Sequence, residues 1–250
     1  MGNSKHLKRL PAPAFWPIHR KEFKYVINPK PGPHRKNRSF PILLILREML
    51  GLAKNRREAH RLLSERHVTV DGVVRRDESY PVGLMDVIEI PVIKKAFRIL
   101  PIRSKGLGLH AIGGKEKGFK LCKIINKKNV RGGNLQLNLH DGRNILLKNT
   151  NSEDMVEDVY KTRDVLKIGI PSSEILSHLT LSVGALAIVE NGKNRGRLVE
   201  IVAIEKRRGS HPAIVTLKDM ENNQFNTILD YVFIVGKDEP WISLPEEVKA

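Results

Sequence analysis

The chain has 250 residues, 40% of them hydrophobic, and a formal net charge of +17. That length holds two or three small domains with modest cores, and so positive a balance points to a polyanionic partner. No apolar run is long enough to span a bilayer, residues 41–46 being the most apolar; no signal peptide is visible, which argues against a membrane protein or a secreted one. The single cysteine, Cys122, excludes an intramolecular disulfide and a cysteine-rich zinc site, and its apolar neighbours predict a buried thiol in a cytoplasmic protein.

Residues 1–40 read as a basic N-terminal arm. Ten Lys and Arg stand there against one acid, Glu22. Prolines break any long helix, and the apolar residues are too scattered for a core of their own, so the arm is expected to be mobile without a partner. Phe15, Trp16, Phe23 and Tyr25 alternate with the cations. Such interleaving suits stacking on bases and neutralisation of phosphates. Lys5, Lys8, Arg9, Arg20, Lys21, Arg35, Lys36 and Arg38 are the candidate contacts.

Residues 41–93 form the second unit. A nearly all-apolar helix with Pro41 at its start and Gly51 past its end should be buried. Residues 54–72 then predict a short helix, a sharp stop and a β-hairpin. Asn55 serves as N-cap with Glu58 placed for a capping box. Ala59, Leu62 and Leu63 share one face, and Lys54, Arg57 and Arg61 the opposite one, a stripe that carries no acid in this reading. Val68, Thr69 and Val70 alternate as a strand, and Asp71-Gly72 is a strong hairpin signal. Arg56, Arg66 and His67 complete the candidate contacts of this unit.

These residues also carry a resemblance. The run from Asn55 to Ala59, the pair Leu62-Leu63 and the run from His67 to Gly72 resemble the S-four RNA-binding domain. That domain occurs in ribosomal proteins, pseudouridine synthases and some tRNA synthetases. It usually has Gly before the His-Val pair, where this chain has Arg66. The resemblance implies RNA binding through the helix and hairpin. Within the arm, residues 6–10 with Pro13, and Gly32-Pro33-His34, resemble the N-terminus of the ribosomal S-four-e family.

Residues 94–177 read as a mostly β central domain. Leu135, Leu137 and Leu139 alternate with polar residues as a half-buried strand, turned by Asp141-Gly142. The stretch from Asp164 to Pro171 echoes that from Asp86 to Pro91, as a repeated way into a strand or by chance. Residues 178–236 predict five strands. Between the first two lies a loop with Gly192 and Gly196, whose freedom permits a tight turn, and with the cations Lys193, Arg195 and Arg197. This loop resembles the KOW motif, which sits in an SH3-like barrel; Val199 departs from its usual glycine. The resemblance adds Asn191 and Asn194 to the candidate contacts, with Arg207 and Arg208 beyond. Residues 237–250 are a tail whose Pro240 to Pro245 stretch again resembles the S-four-e family. The fold class expected is thus α+β and multidomain: a helix-plus-hairpin module, a β central domain and an SH3-like barrel.

No catalytic constellation emerges. The stretch from Gly106 to Ala111 fits G-x-G-x-x-A, but no apolar strand precedes it and Gly113-Gly114 would break a helix after it. Residues 113–118 lack the ending of a phosphate-binding loop. Glu153, Asp154, Glu157 and Asp158 read as a solvated acidic patch, and no metal, cofactor or small-molecule substrate is expected. Two functions stay open. The first is a structural, rRNA-binding constituent of the small ribosomal subunit, in the cytoplasm, with other ribosomal proteins as neighbours and no membrane contact. The alternative is an RNA-modifying enzyme or accessory factor using the same module. A transcription elongation factor, on the KOW resemblance alone, is weaker.

Overall fold

The computed structural model of the chain describes residues 6–103, 106–131, 133–148, 159–205, 207 and 211–245. It is mostly β, with few helices and several antiparallel sheets. Two compact units divide it: Met1–Ile99 with Ala111–Lys117, and Leu100–His110 with Gly118–Ala250.

The first unit opens with β1 (Leu7–Lys8) paired to β2 (Tyr25–Val26). The arm is not a coreless strap, which corrects the expectation that its apolar residues are too scattered to form a core. Leu7, Ala12 and Trp16 are buried, and the Trp16 indole donates to the Ser39 carbonyl at 2.9 Å. Phe15 meets Phe40 edge-on at 4.9 Å. Two arginines replace regular secondary structure as the satisfiers of loop carbonyls. Buried Arg9 donates to the His19 carbonyl at 2.6 Å and to Glu22 at 3.0 Å. Arg20 donates to the carbonyls of Leu10, Ala12 and Pro13 at 2.9–3.0 Å. Composition pointed the wrong way because both cations work inward.

After β3 (Ser39–Pro41) comes the buried apolar helix, α1 (Ile42–Leu44), continued by a π-helical turn over Ile45–Met49. Gly51 then takes φ +62°. Next is α2 (Arg56–Ser64), which buries Ala59 and Leu63. β4 (Thr69–Val70) and β5 (Val73–Val74) form the expected hairpin. Asp71 and Gly72 between them both have positive φ, as a two-residue type I′ turn requires. β6 (Pro81–Gly83) pairs with β3, and β7 (Val87–Ile90) pairs with β4 and with β8 (Lys95–Ile102). β9 (Gly106–Ile112), most of whose residues belong to the second unit, comes last in the strand order β5-β4-β7-β8-β9. The glycine pattern at residues 106–111 therefore lies in a strand, away from any helix start.

The second unit holds two five-stranded sheets. The first comprises β10 (Phe119–Val130), β11 (Asn134–Leu139), β12 (Asn144–Leu147), β13 (Val165–Gly169) and β14 (Ile175–Leu179), in the order β12-β11-β10-β13-β14. Cys122, Ile124, Leu135, Leu137, Leu139, Leu166 and Ile168 fill its core. The second comprises β15 (Leu186–Val189), β16 (Leu198–Glu205), β17 (Ile214–Asp219), β18 (Gln224–Ile228) and β19 (Val232–Gly236), in the order β18-β17-β16-β15-β19. Lys123 of β10 ties the two together. Its buried ammonium donates to the carbonyls of Asp230 and Val232 at 2.8 Å each and meets Glu190 at 3.3 Å.

The echo between Asp86 and Asp164 is structural. Each aspartate is buried, comes after a residue with positive φ (Met85 at +66°, Arg163 at +77°) and starts a strand. Each also bonds a histidine: His34 meets Asp86 at 3.0 Å and His178 meets Asp164 at 2.8 Å. Asp141 has a related task at the β11–β12 turn. Its carboxylate accepts from the Arg143 amide at 3.1 Å and pairs with buried Lys120 at 3.0 Å. This agrees with a hairpin role rather than a catalytic one. The acidic residues Glu153, Asp154, Glu157 and Asp158 lie outside the described residues, as do Lys5 and Arg208.

This packing sets two expectations. Trp16→Ala removes a buried indole and its hydrogen bond, and should cost about 3–5 kcal/mol in denaturant unfolding; an unchanged midpoint would show that the arm is not part of the core. The second concerns acid. Burial alone raises the Asp141 pKa, but the charge of Lys120 and the hydrogen bonds from Lys120 and Arg143 outweigh it and hold the pKa at about 2. Because the folded value lies below the unfolded one of about 3.9, the stabilisation is complete above that value and is lost as pH falls towards the folded pKa. Asp141→Asn should therefore be less stable at neutral pH, with the gap to the native protein closing through that acid window. A gap constant with pH would rule out Asp141 as the titrating group.

Candidate nucleic-acid interface

The helix α2 is fixed at both ends. The Asn55 side chain accepts from the Glu58 amide at 2.9 Å. Glu58 reaches back to the Lys54 amide at 2.7 Å, one residue before the cap itself. At the other end Arg66 takes φ +62°, with its amide on the Leu63 carbonyl and the His67 amide on the Leu62 carbonyl, both at 3.1 Å. This is a Schellman closure with arginine in the left-handed position usually held by glycine. The backbone strain buys one more exposed cation beside the stripe.

Lys54, Arg57 and Arg61 are all exposed on the side away from Ala59 and Leu63. The stripe is not free of acid, contrary to expectation. Glu65 stands four residues after Arg61 and pairs with it at 2.8 Å, and His67 approaches the same carboxylate at 3.2 Å. The hydrogen bond from Arg61 holds the Glu65 carboxyl below its usual range. Arg56 pairs with Glu78, which comes from 22 residues further on. Lys54 and Arg57 have no side-chain partner among the described residues, so they are the cations this helix leaves for a ligand.

The glycine loop, residues 190–197, joins β15 to β16. Gly192 and Gly196 have φ of +91° and +79°. A Cβ on Gly196 would lie 2.5 Å from the Arg103 nitrogen and 2.8 Å from the Ile102 carbonyl carbon, so glycine is demanded twice over. Asn191 accepts from Arg195 at 2.6 Å and from the Gly192 amide at 2.9 Å, which braces the loop from within. Arg197 is held by Asp219 at 2.8 Å. Lys193 and Arg207 are exposed, and Asn194 is half-buried.

In the arm, Lys8, Lys21, Arg35 and Arg38 are exposed and Lys36 is half-buried. Arg9 and Arg20 are occupied internally by the arm's own carbonyls. One group of possible metal ligands exists among the described residues: Cys122, His140 and Asp141, with donor atoms within 4.8 Å of one another. It does not suit a cation. Lys120 already neutralises Asp141, and His140 Nδ1 accepts from the Lys123 amide at 3.2 Å. The sequence reading missed the internal use of Arg9 and Arg20; no local pattern signals it, since a guanidinium on loop carbonyls has no fixed spacing. It also missed the Arg61–Glu65 pair, which the i, i+4 spacing could have revealed.

Comparison with known proteins identifies the family. A domain described as "RS4NT (NUC023)" matches residues 1–37, the S4 domain matches residues 45–88, and "Ribosomal family S4e" matches residues 93–175. The small ribosomal subunit protein eS4 of Staphylothermus marinus is 51% identical over 98% of both chains. That of Methanocaldococcus jannaschii is 46% identical over 97% of this chain and 98% of its own. The crystal structure of the 30S ribosomal protein S4e from Thermoplasma acidophilum superposes with a TM-score of 0.64 at 30% identity, covering 81% of this chain and 97% of that one. The chain belongs to the S4e family of ribosomal proteins.

Proposed function

We propose that the protein is a structural constituent of the small ribosomal subunit that binds 16S-type rRNA and performs no catalysis. The observation that carries this reading is the cationic side of α2, with Lys54 and Arg57 exposed and unpaired while the opposite side is locked in a core. It stands in a chain that matches named small-subunit proteins from end to end. The RNA-modifying alternative has no support among the relatives.

In this reading three surfaces act together: the exposed cations of the arm, the stripe on α2, and the glycine loop of the last sheet acting as a KOW-type element. Each neutralises phosphates weakly, and their linkage raises the total affinity. Backbone shape dominates over base readout. Arg9, Arg20 and Arg197 hold the contact surfaces in place from inside. The partners are small-subunit rRNA and neighbouring ribosomal proteins, and the location is the cytoplasmic ribosome.

Binding of the full chain to deproteinised small-subunit rRNA, titrated across salt concentrations, tests the stripe. Lys54→Ala and Arg57→Ala should each lower the slope of log affinity against log salt by about 1, with native melting temperatures. An unchanged slope with an altered sequence preference would sink the phosphate assignment. Gly196→Val tests the loop. The new side chain collides with backbone and adds left-handed strain, so stability should fall by at least about 1–3 kcal/mol and rRNA affinity should fall with it. Native melting and native affinity together would refute the role given to this loop.

A further inference from the structure

The outer face of the β10-β11-β12 sheet carries side chains that strands disfavour. Asn126 lies opposite Asn138, and Asn138 opposite Asn144, so three asparagines form one row across three strands. The next row is Lys128, Gln136 and Leu146. Leu135, Leu137 and Leu139 point the other way into the core, which defines the amide rows as the outer face. Asn126, Lys128, Asn144 and Leu146 are exposed, and Gln136 and Asn138 are half-buried. The pairing is irregular between Ile124 and Asn126. Without that bulge, the alternation set by Cys122 and Ile124 would send Asn126 into the core.

Asparagine is depleted in strands, and a solvent-facing row gains more from threonine or from opposite charges. A row of three works against the sheet it sits on, the kind of local conflict that functional surfaces carry. No Asp or Glu stands in either row. Phosphate gripping would call for arginine and lysine throughout, and a protein interface for aromatic anchors. Amides offer acceptors and donors together.

We propose that this amide row reads the shallow minor groove of an A-form RNA helix. That groove is wide enough for a sheet face and displays 2′-hydroxyls and base edges, which also donate and accept. Strands about 4.8 Å apart set the asparagines at even intervals along it. Gln136 donates to the Asn138 carbonyl oxygen at 2.8 Å, which orients that amide and leaves its N–H donors for the groove. Leu146 lies against ribose, and Lys128 with the exposed Arg131 and Lys148 meets the flanking phosphates. The inference rests on the rRNA-binding reading and adds a surface of different chemistry.

The full chain carrying Asn126→Thr, Asn138→Thr and Asn144→Thr tests it against deproteinised small-subunit rRNA. Threonine suits strands, so the melting temperature should hold or rise. Affinity should fall about tenfold, the weight of one or two hydrogen bonds. The salt slope should stay native, and hydroxyl-radical footprinting should lose one tract of ribose protection while others remain. Should the triple variant melt lower, Asn144→Thr alone, on the edge strand, should still cost about two- to threefold. Native affinity and a native footprint overturn the inference, as does native rRNA binding with loss of a neighbouring protein from reconstituted subunits. If Lys54→Ala lowers the slope while the threonine variants bind natively, the rRNA-binding function stands and this inference alone falls. If the native protein does not bind the rRNA, the function itself falls.

Discussion

A cation that leaves water must find an acceptor, and this chain has 44 Lys and Arg for 27 Asp and Glu. Carboxylates cannot serve them all. The interior uses backbone carbonyls instead. Arg20 binds three of them in the arm at 2.9–3.0 Å, Arg9 takes the His19 carbonyl, and Lys123 takes two between the sheets of the second unit. These bonds do what a helix or strand would do for the same carbonyls, in segments too rich in proline or too short to form either. The charge surplus is therefore part of the architecture as well as of the surface.

The same constraint sorts the surface cations. Arg56, Arg61 and Arg197 stand near acids and are oriented by them. Lys54, Arg57 and Lys193 are exposed beside elements that cannot move easily: a capped helix and a loop whose Gly196 touches backbone. Their backbones are held in place, so meeting a phosphate costs the freedom of the side chains alone and not that of the chain that carries them. The strained Arg66 obeys the same logic, keeping a cation where a glycine would relieve the backbone.

The asparagine row differs in kind. It adds no charge and gains nothing for the sheet, and it depends on a bulge that re-aims one strand. Cations draw a protein to any polyanion, whereas a row of amides distinguishes one surface shape from another. The two chemistries together would let a strongly basic protein settle on one site rather than many.

What the sequence determined by itself was local. The Asn55 cap, the faces of α2, the Asp71-Gly72 turn, the burial of Cys122 and the alternation of Leu135, Leu137 and Leu139 each depend on residues a few positions apart, whose geometry is set by the period of a helix, strand or turn. That the last sheet has five strands was legible for the same reason. Tertiary structure alone decided the rest. It turned Arg9 and Trp16 inward, brought Glu78 to Arg56, set Lys123 under Asp230, pressed Gly196 against residue 103 and lined up Asn126, Asn138 and Asn144. These contacts range from hairpin partners such as Asn138 and Asn144 to Lys123 and Asp230, 107 residues apart, and each is fixed by strand register and packing rather than by the period of one element.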